Sequence, residues 1–311
     1  MIGDSVPGWR RRAFVGVLPA LLAGTVTRDA RSQQVRELSP RFQADAPQVV
    51  IPFTAEDRQH HLVSGLTQTD FRLLADGQEQ AINFLAVEEG PASVLVVLDL
   101  SRSMKGPVVH MQEAVRRILR AAPADDEFAL IEFSDKAELT VDFTTTPQRV
   151  EEKIEHIAPA GRTSLTDAIM LALGYIRRAR HARRAIVIVS DGNENSSRHA
   201  RREALQMAVE TDARIYAIEL SPPIGDGFTG TTMLELLAAA TGGRYLPTVS
   251  RKDIPRLVER IDIHRGYVLG FTPPVQHRDG RLHRVELKLR RSAGERVRLF
   301  WKERYLVPSA I

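Results

Sequence analysis

Five oxygen-bearing side chains in the middle of the sequence are spaced in a way that could hold a metal ion. Asp99, Ser101 and Ser103 form an Asp-x-Ser-x-Ser run, and Thr163 and Asp191 follow farther along the chain. Alternate residues leaving a strand point to one side, so the three oxygens of the run can converge on one point. The set contains neither a histidine nor a thiolate. Hard oxygen ligands of this kind suit magnesium (Mg²⁺), with Mn²⁺ or Ca²⁺ as alternatives.

The segments around these side chains have the patterns of strands and helices. Residues 94–98 and 185–189 are continuous apolar runs, which are typical of strands buried on both faces of a parallel sheet. The apolar positions of residues 107–121 and 165–176 recur at helical spacing. In such a sheet, ligands bind at the carboxyl ends of the strands, near the point where the strand order reverses. We therefore expect the five side chains to meet at that edge.

Strand and helix signals alternate over the whole middle of the chain. The further strand segments are 128–133, 139–143 and 215–220, and the further helical segments are 148–157, 201–209, 232–240 and 257–263. Strands that alternate with helices of about ten to fifteen residues indicate a parallel sheet with right-handed crossovers. We therefore expect an α/β fold with a Rossmann-like, doubly wound and mostly parallel sheet flanked by helices.

The segments on either side of this region have the pattern of β structure. Before it, short apolar runs are separated by turn signals such as Asp76-Gly77, and after it the strand segments are 267–271, 285–289 and 297–301. Each block is too small to hold a core alone. We therefore expect residues 45–91 and 264–308 to share a small β-sandwich-like domain, into which an α/β domain of residues 92–263 is inserted.

The amino-terminal residues have a different composition. Arg10, Arg11 and Arg12 precede a short apolar stretch at residues 13–24, which is the layout of an export signal. The paired arginines followed by a large apolar residue also resemble the twin-arginine consensus. We expect residues 1–30 to be this signal, residues 31–44 to be a linker, and the protein to be exported, either periplasmic or extracellular. No run of eighteen apolar residues occurs, so no transmembrane span is expected.

Composition narrows the function classes. Hydrophobic residues make up 43% and charged residues 26% of the 311 residues, which are globular values. The absence of cysteine excludes disulfides, thiolate zinc sites, iron–sulfur clusters and a cysteine nucleophile. A net charge of +4 is too small to argue for nucleic acid. The basic cluster at residues 177–184 lies at a predicted helix end without interleaved aromatic residues, so we interpret it as a solvated helix terminus.

Enzyme and nucleotide-binding signals are weaker than the metal signal. Gly225, Gly227 and Gly230 spell the dinucleotide fingerprint, but four residues separate the first glycine from the preceding strand, and the fingerprint requires a tight turn there. No Gly-x-Ser-x-Gly elbow occurs, and no histidine or extra acid follows a neighbouring strand to act as a base. The favoured interpretation is a protein that is not an enzyme. Three alternatives remain open: a metal-dependent hydrolase using the same pocket, a scaffold whose metal serves assembly, and a metal-free domain in which the two serines cap a helix.

The order and context of the five side chains resemble the von Willebrand factor type A domain. Its metal-ion-dependent adhesion site is an Asp-x-Ser-x-Ser run followed by a distant threonine and a distant aspartate, and Asp99, Ser101, Ser103, Thr163 and Asp191 match all five places. The resemblance covers roughly residues 92–263. The flanking residues 65–71 and 266–271 resemble a bacterial, acidobacterial-type subgroup.

The resemblance implies a role for each of these side chains. In the family the serines and the threonine bind the cation, the aspartates often act one water away, and an acidic residue of a partner completes the coordination. We therefore expect an exported, metal-dependent protein-binding module, an adhesion or scaffold protein, that holds Mg²⁺ and grips an acidic side chain of a partner protein.

Overall fold

The computed structural model describes residues 48–220, 232–248, 251–290 and 297–307. The predicted export signal, the predicted linker and the glycine motif at residues 225–230 lie outside the described residues. Among the residues described, no helix is both long and apolar enough to cross a membrane.

The described residues form fourteen strands and six α-helices. The strands are β1 (Val49–Glu56), β2 (Phe71–Ala75), β3 (Gln78–Gln80), β4 (Ile82–Glu89), β5 (Ala92–Asp99), β6 (Glu127–Phe133), β7 (Ala137–Thr144), β8 (Arg183–Ser190), β9 (Ala213–Glu219), β10 (Arg244–Pro247), β11 (Arg265–Phe271), β12 (Leu282–Leu289), β13 (Arg298–Trp301) and β14 (Arg304–Leu306). The helices are α1 (Val108–Ala121), α2 (Gln148–Glu155), α3 (Leu165–Tyr175), α4 (Arg201–Glu210), α5 (Met233–Thr241) and α6 (Ile254–Glu259).

A six-stranded sheet lies at the centre, in the order β10-β9-β8-β5-β6-β7. All neighbours in it are parallel except the edge pair β6 and β7. The chain runs outward from β5 through β6 to one edge and then crosses back to β8 on the other side of β5. The strand order therefore reverses between β5 and β8, and this is where an open α/β sheet forms its ligand crevice.

Each face of the central sheet buries a separate apolar core, because successive side chains of a strand point to opposite faces. Val94, Val96 and Leu98 of β5 pack on one face with the apolar sides of α1, α2 and α6. Leu95 and Val97 pack on the other face with those of α3, α4 and α5. All five of these strand side chains are at most 1% exposed. Because both faces are covered, β5 is an uninterrupted apolar run, and its last residue is held in a fixed position.

Two further four-stranded sheets, β13-β1-β11-β4 and β14-β12-β2-β3, enclose a third core. Strands from both flanking segments enter the same sheets, since β1 pairs with β11 and β12 pairs with β2. In the shared core the Phe53 and Tyr267 rings stack at 5.1 Å. β4 and β11, which border the central unit in sequence, pair antiparallel with Glu89 opposite Arg265. The chain therefore leaves and re-enters these sheets at neighbouring positions.

The predicted fold class, a doubly wound α/β sheet flanked by helices with an additional β-sandwich-like part, is confirmed. One predicted element is wrong. The predicted helix at residues 257–263 lies instead at α6, because the chain turns after Glu259. Asp262 stabilises this turn, since its carboxylate accepts hydrogen bonds from the amides of His264 and Arg265 at 3.2 and 3.0 Å.

The turn between β2 and β3 is tied to β12 by a cluster of histidines and carboxylates. His283 Nδ1 lies 2.7 Å from Asp76 Oδ2, and its Nε2 lies 3.0 Å from Asp279 Oδ1. The His277 ring stacks on the His283 ring at 4.0 Å, and its Nδ1 lies 2.6 Å from the Tyr305 hydroxyl. Both imidazole rings are at most 10% exposed. The cluster therefore links residues that are far apart in sequence through charged hydrogen bonds.

The His283 and Asp76 side chains hold opposite charges in this cluster. Burial works to lower the pKa of His283, but the hydrogen bonds and charges of the two aspartates outweigh it and raise the pKa above the ordinary 6.5. Burial works to raise the pKa of Asp76. Its hydrogen bonds with His283 and the Arg284 amide, together with the charges of the His283 and His277 imidazoles, outweigh burial and hold the pKa below the ordinary 3.8. The ion pair therefore contributes its full stability between the ordinary pKa values of the two groups.

We predict that His283→Gln lowers the free energy of unfolding in a pH-dependent manner. The His283 contribution is complete below pH 6.5 and is lost as the pH rises through the raised folded-state pKa, whereas the Asp76 contribution is lost as the pH falls below 3.8. The wild-type advantage should thus be on the order of 1 kcal/mol at pH 5, because Asp76 is 43% exposed and partly screened, and should shrink at pH 8.5.

Urea unfolding at pH 5, 6.5 and 8.5 measures this advantage. His156→Gln, which removes an exposed imidazole just after α2, controls for the loss of a ring elsewhere. If the wild type exceeds His283→Gln in free energy of unfolding by the same amount at pH 5 and at pH 8.5, the assignment of the ion pair is contradicted.

Candidate metal centre

Asp99 is the last residue of β5, and its side chain is fully buried. The Ser101 amide donates to Asp99 Oδ1 at 2.9 Å, and the Ser190 hydroxyl donates to Asp99 Oδ2 at 2.6 Å. Ser190 is itself buried at the end of β8, and its Oγ accepts a hydrogen bond from the Gly192 amide at 3.0 Å. One carboxylate thus joins the ends of the two strands that flank the crevice.

The Asp99 carboxylate is buried beside a second negative charge. Burial raises the pKa of Asp99 above its ordinary value, the hydrogen bonds from Ser190 and Ser101 work in the opposite direction, and the charge of Asp191 raises it further. A buried carboxylate is costly unless a positive charge offsets it. A cation held between the two aspartates would provide that charge.

The two serines of the run face each other rather than capping a helix. Ser101 is 1% exposed and precedes a single 3₁₀ turn at Arg102–Lys105, but its side chain makes no capping hydrogen bond. Its Oγ lies 3.0 Å from Ser103 Oγ instead. Ser103 is exposed, so the pair runs from the buried carboxylate to the surface. The helix-cap alternative therefore does not describe these hydroxyls.

The loop that carries Thr163 is held beside the serine turn by backbone hydrogen bonds. The Ala160 amide donates to the Leu100 carbonyl at 2.7 Å, and the Arg102 amide donates to the Gly161 carbonyl at 3.2 Å. Gly161 has a φ of +84°, and a Cβ there would come within 2.6 Å of Asp135 Oδ2, so this position requires glycine.

Thr163 follows in this loop and is 2% exposed. Ser164 anchors the next position, because its amide and its hydroxyl both donate to the Ser134 carbonyl, at 2.9 and 2.8 Å. The threonine is thus fixed between two anchored segments.

The loop after β8 connects Asp191 to the Thr163 segment. Asp191 is half-buried, and its Oδ1 accepts the Asn193 amide at 3.1 Å. Asn195 then pairs with Thr163 in both directions. The Thr163 amide donates to Asn195 Oδ1 at 2.9 Å, and the Asn195 amide donates to the Thr163 carbonyl at 3.1 Å.

Two further carboxylates bind the remainder of this loop to the start of α3. Glu194 accepts hydrogen bonds from the amides of Thr166, Ser196 and Ser197 and from the Ser197 hydroxyl, at 2.6 to 2.9 Å. Burial works to raise the pKa of Glu194, but these hydrogen bonds outweigh it and lower the pKa. Asp167 accepts the His199 amide at 3.0 Å. The loop is therefore pre-organised before any ligand binds.

The structure brings the five predicted residues to one edge of the sheet. The hydrogen bonds join Asp99 to Ser101, Ser101 to Ser103, and Thr163 to the loop that begins at Asp191. The set offers two carboxylates and three hydroxyls, all hard oxygen ligands, and the hydrogen bonds to the Asp99 carboxylate come from the neutral Ser101 amide and Ser190 hydroxyl. These residues fit Mg²⁺, Mn²⁺ or Ca²⁺.

Ser190 and Asn195 are positioning residues that the sequence did not reveal. Ser190 ends an apolar run directly before Asp191, so a polar side chain at the end of a buried strand was the available signal. Asn195 has no comparable local signal, because its role depends on a loop that is distant in sequence.

Comparison with known proteins finds similarity within the central unit. A family model described as the von Willebrand factor type A domain matches residues 94–194. An uncharacterized protein of Borreliella burgdorferi is 26% identical over 137 residues, which is 41% of this chain and 40% of that protein. The match therefore spans about two fifths of the curated relative.

Several solved structures are similar at low identity. BatB, a conserved hypothetical protein from Bacteroides thetaiotaomicron, is 18% identical, covers 55% of this chain and 97% of its own, and has a TM-score of 0.45. A von Willebrand factor type A protein from Catenulispora acidiphila is 13% identical. The match covers 86% of this chain and 76% of that protein, with a TM-score of 0.47. The vWF domain of the type V pili tip protein Mfa5 from Porphyromonas gingivalis is 14% identical. The match covers 57% of this chain and 95% of that domain, with a TM-score of 0.45.

We predict that Ser190→Ala destabilises the metal-free protein by about 1–3 kcal/mol, because the buried Asp99 carboxylate loses a hydrogen-bond donor. Ser103→Ala also removes a serine hydroxyl, but from an exposed position, and should lower the free energy of unfolding by no more than about 0.5 kcal/mol. Urea unfolding in the presence of a chelator measures both. Equal costs for the two variants would show that the Ser190 hydroxyl does not support the carboxylate.

Proposed function

We propose that this chain, whose residues 94–194 match the von Willebrand factor type A domain model, is a protein-binding module that uses one Mg²⁺ to grip an acidic side chain of a partner. Ser101, Ser103 and Thr163 would hold the ion through their hydroxyls, and Asp99 and Asp191 would hold it directly or through water. Mn²⁺ or Ca²⁺ would be bound by the same oxygen atoms. The bound ion would supply a positive charge at the surface for a partner's carboxylate.

The observation that carries this proposal is the buried Asp99 carboxylate at the strand reversal, beside Asp191 and in line with two serine hydroxyls. Its hydrogen bonds come from an amide and a hydroxyl, and these neutral donors hold the oxygens in place without offsetting their charge. A divalent cation would offset both carboxylates. The surrounding loops are pre-organised, so little ordering of the chain would oppose binding.

The outward side of the site favours an acidic partner. Ser103 is exposed and Asp191 is half-buried, so the buried carboxylate opens to solvent past these two side chains. The neighbouring Arg102 and Lys105 side chains are exposed, and both are positively charged. A partner's carboxylate would therefore meet the ion and two flanking cations, which adds electrostatic complementarity. We further propose that residues 1–30 direct export, so that this partner is met outside the cytoplasm.

A metal-dependent hydrolase using the same pocket is the alternative function. Such an enzyme would need a general base within hydrogen-bond reach of the attacking water. Contrary to the sequence-based expectation, an acid does end a neighbouring strand: Glu219 is the last residue of β9, lies beside Gly192, and its Oε2 accepts a hydrogen bond from the Tyr245 hydroxyl. The assay for turnover described below therefore decides between the two functions.

We predict that the protein binds Mg²⁺ with one site and that Asp99→Asn and Thr163→Ala abolish this binding. Ser190→Ala should weaken it by about ten- to hundredfold, because Ser190 orients a ligand without reaching the ion itself. Isothermal titration of chelator-treated protein measures the affinities. Ser64→Ala, an exposed serine of the flanking segment, is the matched control and should bind as the wild type does. Unchanged Mg²⁺ affinity in Asp99→Asn would remove the basis of the proposal.

We also predict that the Mg²⁺-loaded protein binds glutamate- or aspartate-containing peptides on an array, and that chelator or Asp99→Asn abolishes this binding. The same peptides with glutamine or asparagine in place of the acid should bind much more weakly, because an amide oxygen can reach the ion but carries no negative charge to pair with it. Ester and phosphate-ester substrates are assayed in parallel. Metal-dependent turnover that is lost in Asp99→Asn would instead establish the hydrolase.

A further inference from the structure

A cavity of about 330 Å³ lies at the amino-terminal ends of β8 and β9, at the opposite end of these strands from the metal centre. One wall is the central sheet, and the other is the flanking sheet that contains β1, β4 and β11. Its volume is at the lower end of the range of small-molecule sites. Its walls come from both parts of the fold, so a ligand there would contact both.

The cavity is lined by more positive than negative side chains. Arg183, Arg184, Arg214 and Lys302 line it, whereas its carboxylates are Glu88 and Asp212, which leaves an excess of two positive charges. Isolated charges are costly to bury, and they require a partner of opposite sign. The lining is therefore complementary to an anion.

Arg214 is the most deeply placed of these cations. It is 7% exposed, and its Nη2 lies 3.4 Å from Glu88 Oε2. Its Nη1 is buried and forms no hydrogen bond within the described part of the chain. Gly266 makes room for this guanidinium, because a Cβ at that position would lie 2.7 Å from Nη1. One edge of the fork is therefore held by Glu88, and the other retains a free donor.

The neighbouring cations are also incompletely satisfied. Arg184 Nε is buried without a hydrogen bond among the described residues, and Arg183 Nη1 reaches the Ile263 carbonyl only at 3.5 Å. Lys302 Nζ donates to the Thr211 carbonyl at 3.1 Å. Burial lowers the pKa of Arg183 and that of Lys302, which is the effect of removing a cation from water without a full counter-charge. An anion between these groups would satisfy donors on several side chains at once.

We propose that this cavity binds a small phosphate-bearing molecule, whose phosphate lies against Arg214 and between Arg183 and Lys302. A phosphate group carries between one and two negative charges at neutral pH, which matches the excess of positive charge in the cavity. The planar guanidinium fork suits two oxygens of one phosphate. The cavity is larger than a bare phosphate, so the ligand class is a phosphorylated small molecule rather than a polymer.

The site is independent of the metal centre in its chemistry and in its residues. The ligand would bridge the central sheet, through Arg183 and Arg214, and the flanking sheets, through Lys302. Binding to the folded state alone stabilises a protein by mass action. The ligand would therefore raise the unfolding temperature of the whole chain, and it would do so without a divalent ion.

The test measures thermal unfolding and isothermal titration of the full chain with inorganic phosphate, pyrophosphate and citrate, in chelator and at ionic strength matched with sodium chloride. We expect saturable binding of phosphate and tighter binding of pyrophosphate, because its second phosphate can use the remaining volume and charge. Citrate distinguishes a phosphate site from a general polyanion site. Citrate binding equal to or tighter than pyrophosphate binding would overturn the assignment of phosphate.

Variants locate the binding. Arg214→Gln should raise the pyrophosphate dissociation constant by roughly tenfold or more, since a charge-assisted pair of hydrogen bonds is lost. Arg183→Gln changes a less buried side chain and should have the same effect. It therefore serves as the test variant if Arg214→Gln fails to fold. Arg202→Gln, an exposed arginine of α4, and Asp99→Asn at the metal centre should bind as the wild type does. Stabilisation by phosphate no greater than by chloride, or equal stabilisation of the Arg183 variant and the Arg202 variant, would overturn the proposal.

Discussion

The buried carboxylate of Asp99 is the constraint on which the functional edge of this protein depends. The strand order reverses beside it, so β5 and β8 end next to each other and a crevice opens between their loops. A charge in that place is costly, and its neighbour Asp191 increases the cost. Within the described part of the chain, the hydrogen bonds to the Asp99 carboxylate come from neutral donors, the Ser101 amide and the Ser190 hydroxyl. The proposed cation would offset the charges of both aspartates, and this is the physical basis of the proposal.

The sequence was sufficient for those parts of the fold that depend on local pattern. β5 and β8 were predicted because a strand covered on both faces must be apolar throughout, and α1 and α3 because their apolar residues recur at helical spacing. The five oxygen-bearing side chains could be placed at one edge for a related reason, since parallel strands bring their carboxyl ends together whatever the length of the crossovers. The Asp76-Gly77 turn was equally local, and both of its residues adopt positive φ as that dipeptide favours.

Features that depend on long-range contacts were not visible in the sequence. Asn195 acts on Thr163 from another loop, and His283 meets Asp76 from 207 positions away along the chain. No periodicity records such pairings. The helix predicted at residues 257–263 failed for a different reason, because Ile261 and Ile263 continue the apolar pattern while packing from a turn rather than from a helix. Apolar spacing indicates which side chains are buried in the core, whereas the backbone hydrogen bonds determine whether those residues lie in a helix or in a turn.

The two charged regions lie at opposite ends of the same strands, and this separation follows from the fold. β8 begins with two arginines and ends with Ser190 directly before Asp191, and the residues between them are apolar and at most 1% exposed. A parallel strand with both faces covered can carry polar side chains only at its ends, so an α/β sheet collects them at its two edges. The carboxyl edge gathers acids and hydroxyls, and the amino edge gathers guanidinium groups beside the flanking sheets. Because an apolar layer separates these edges, the proposed cation and the proposed anion would bind without meeting.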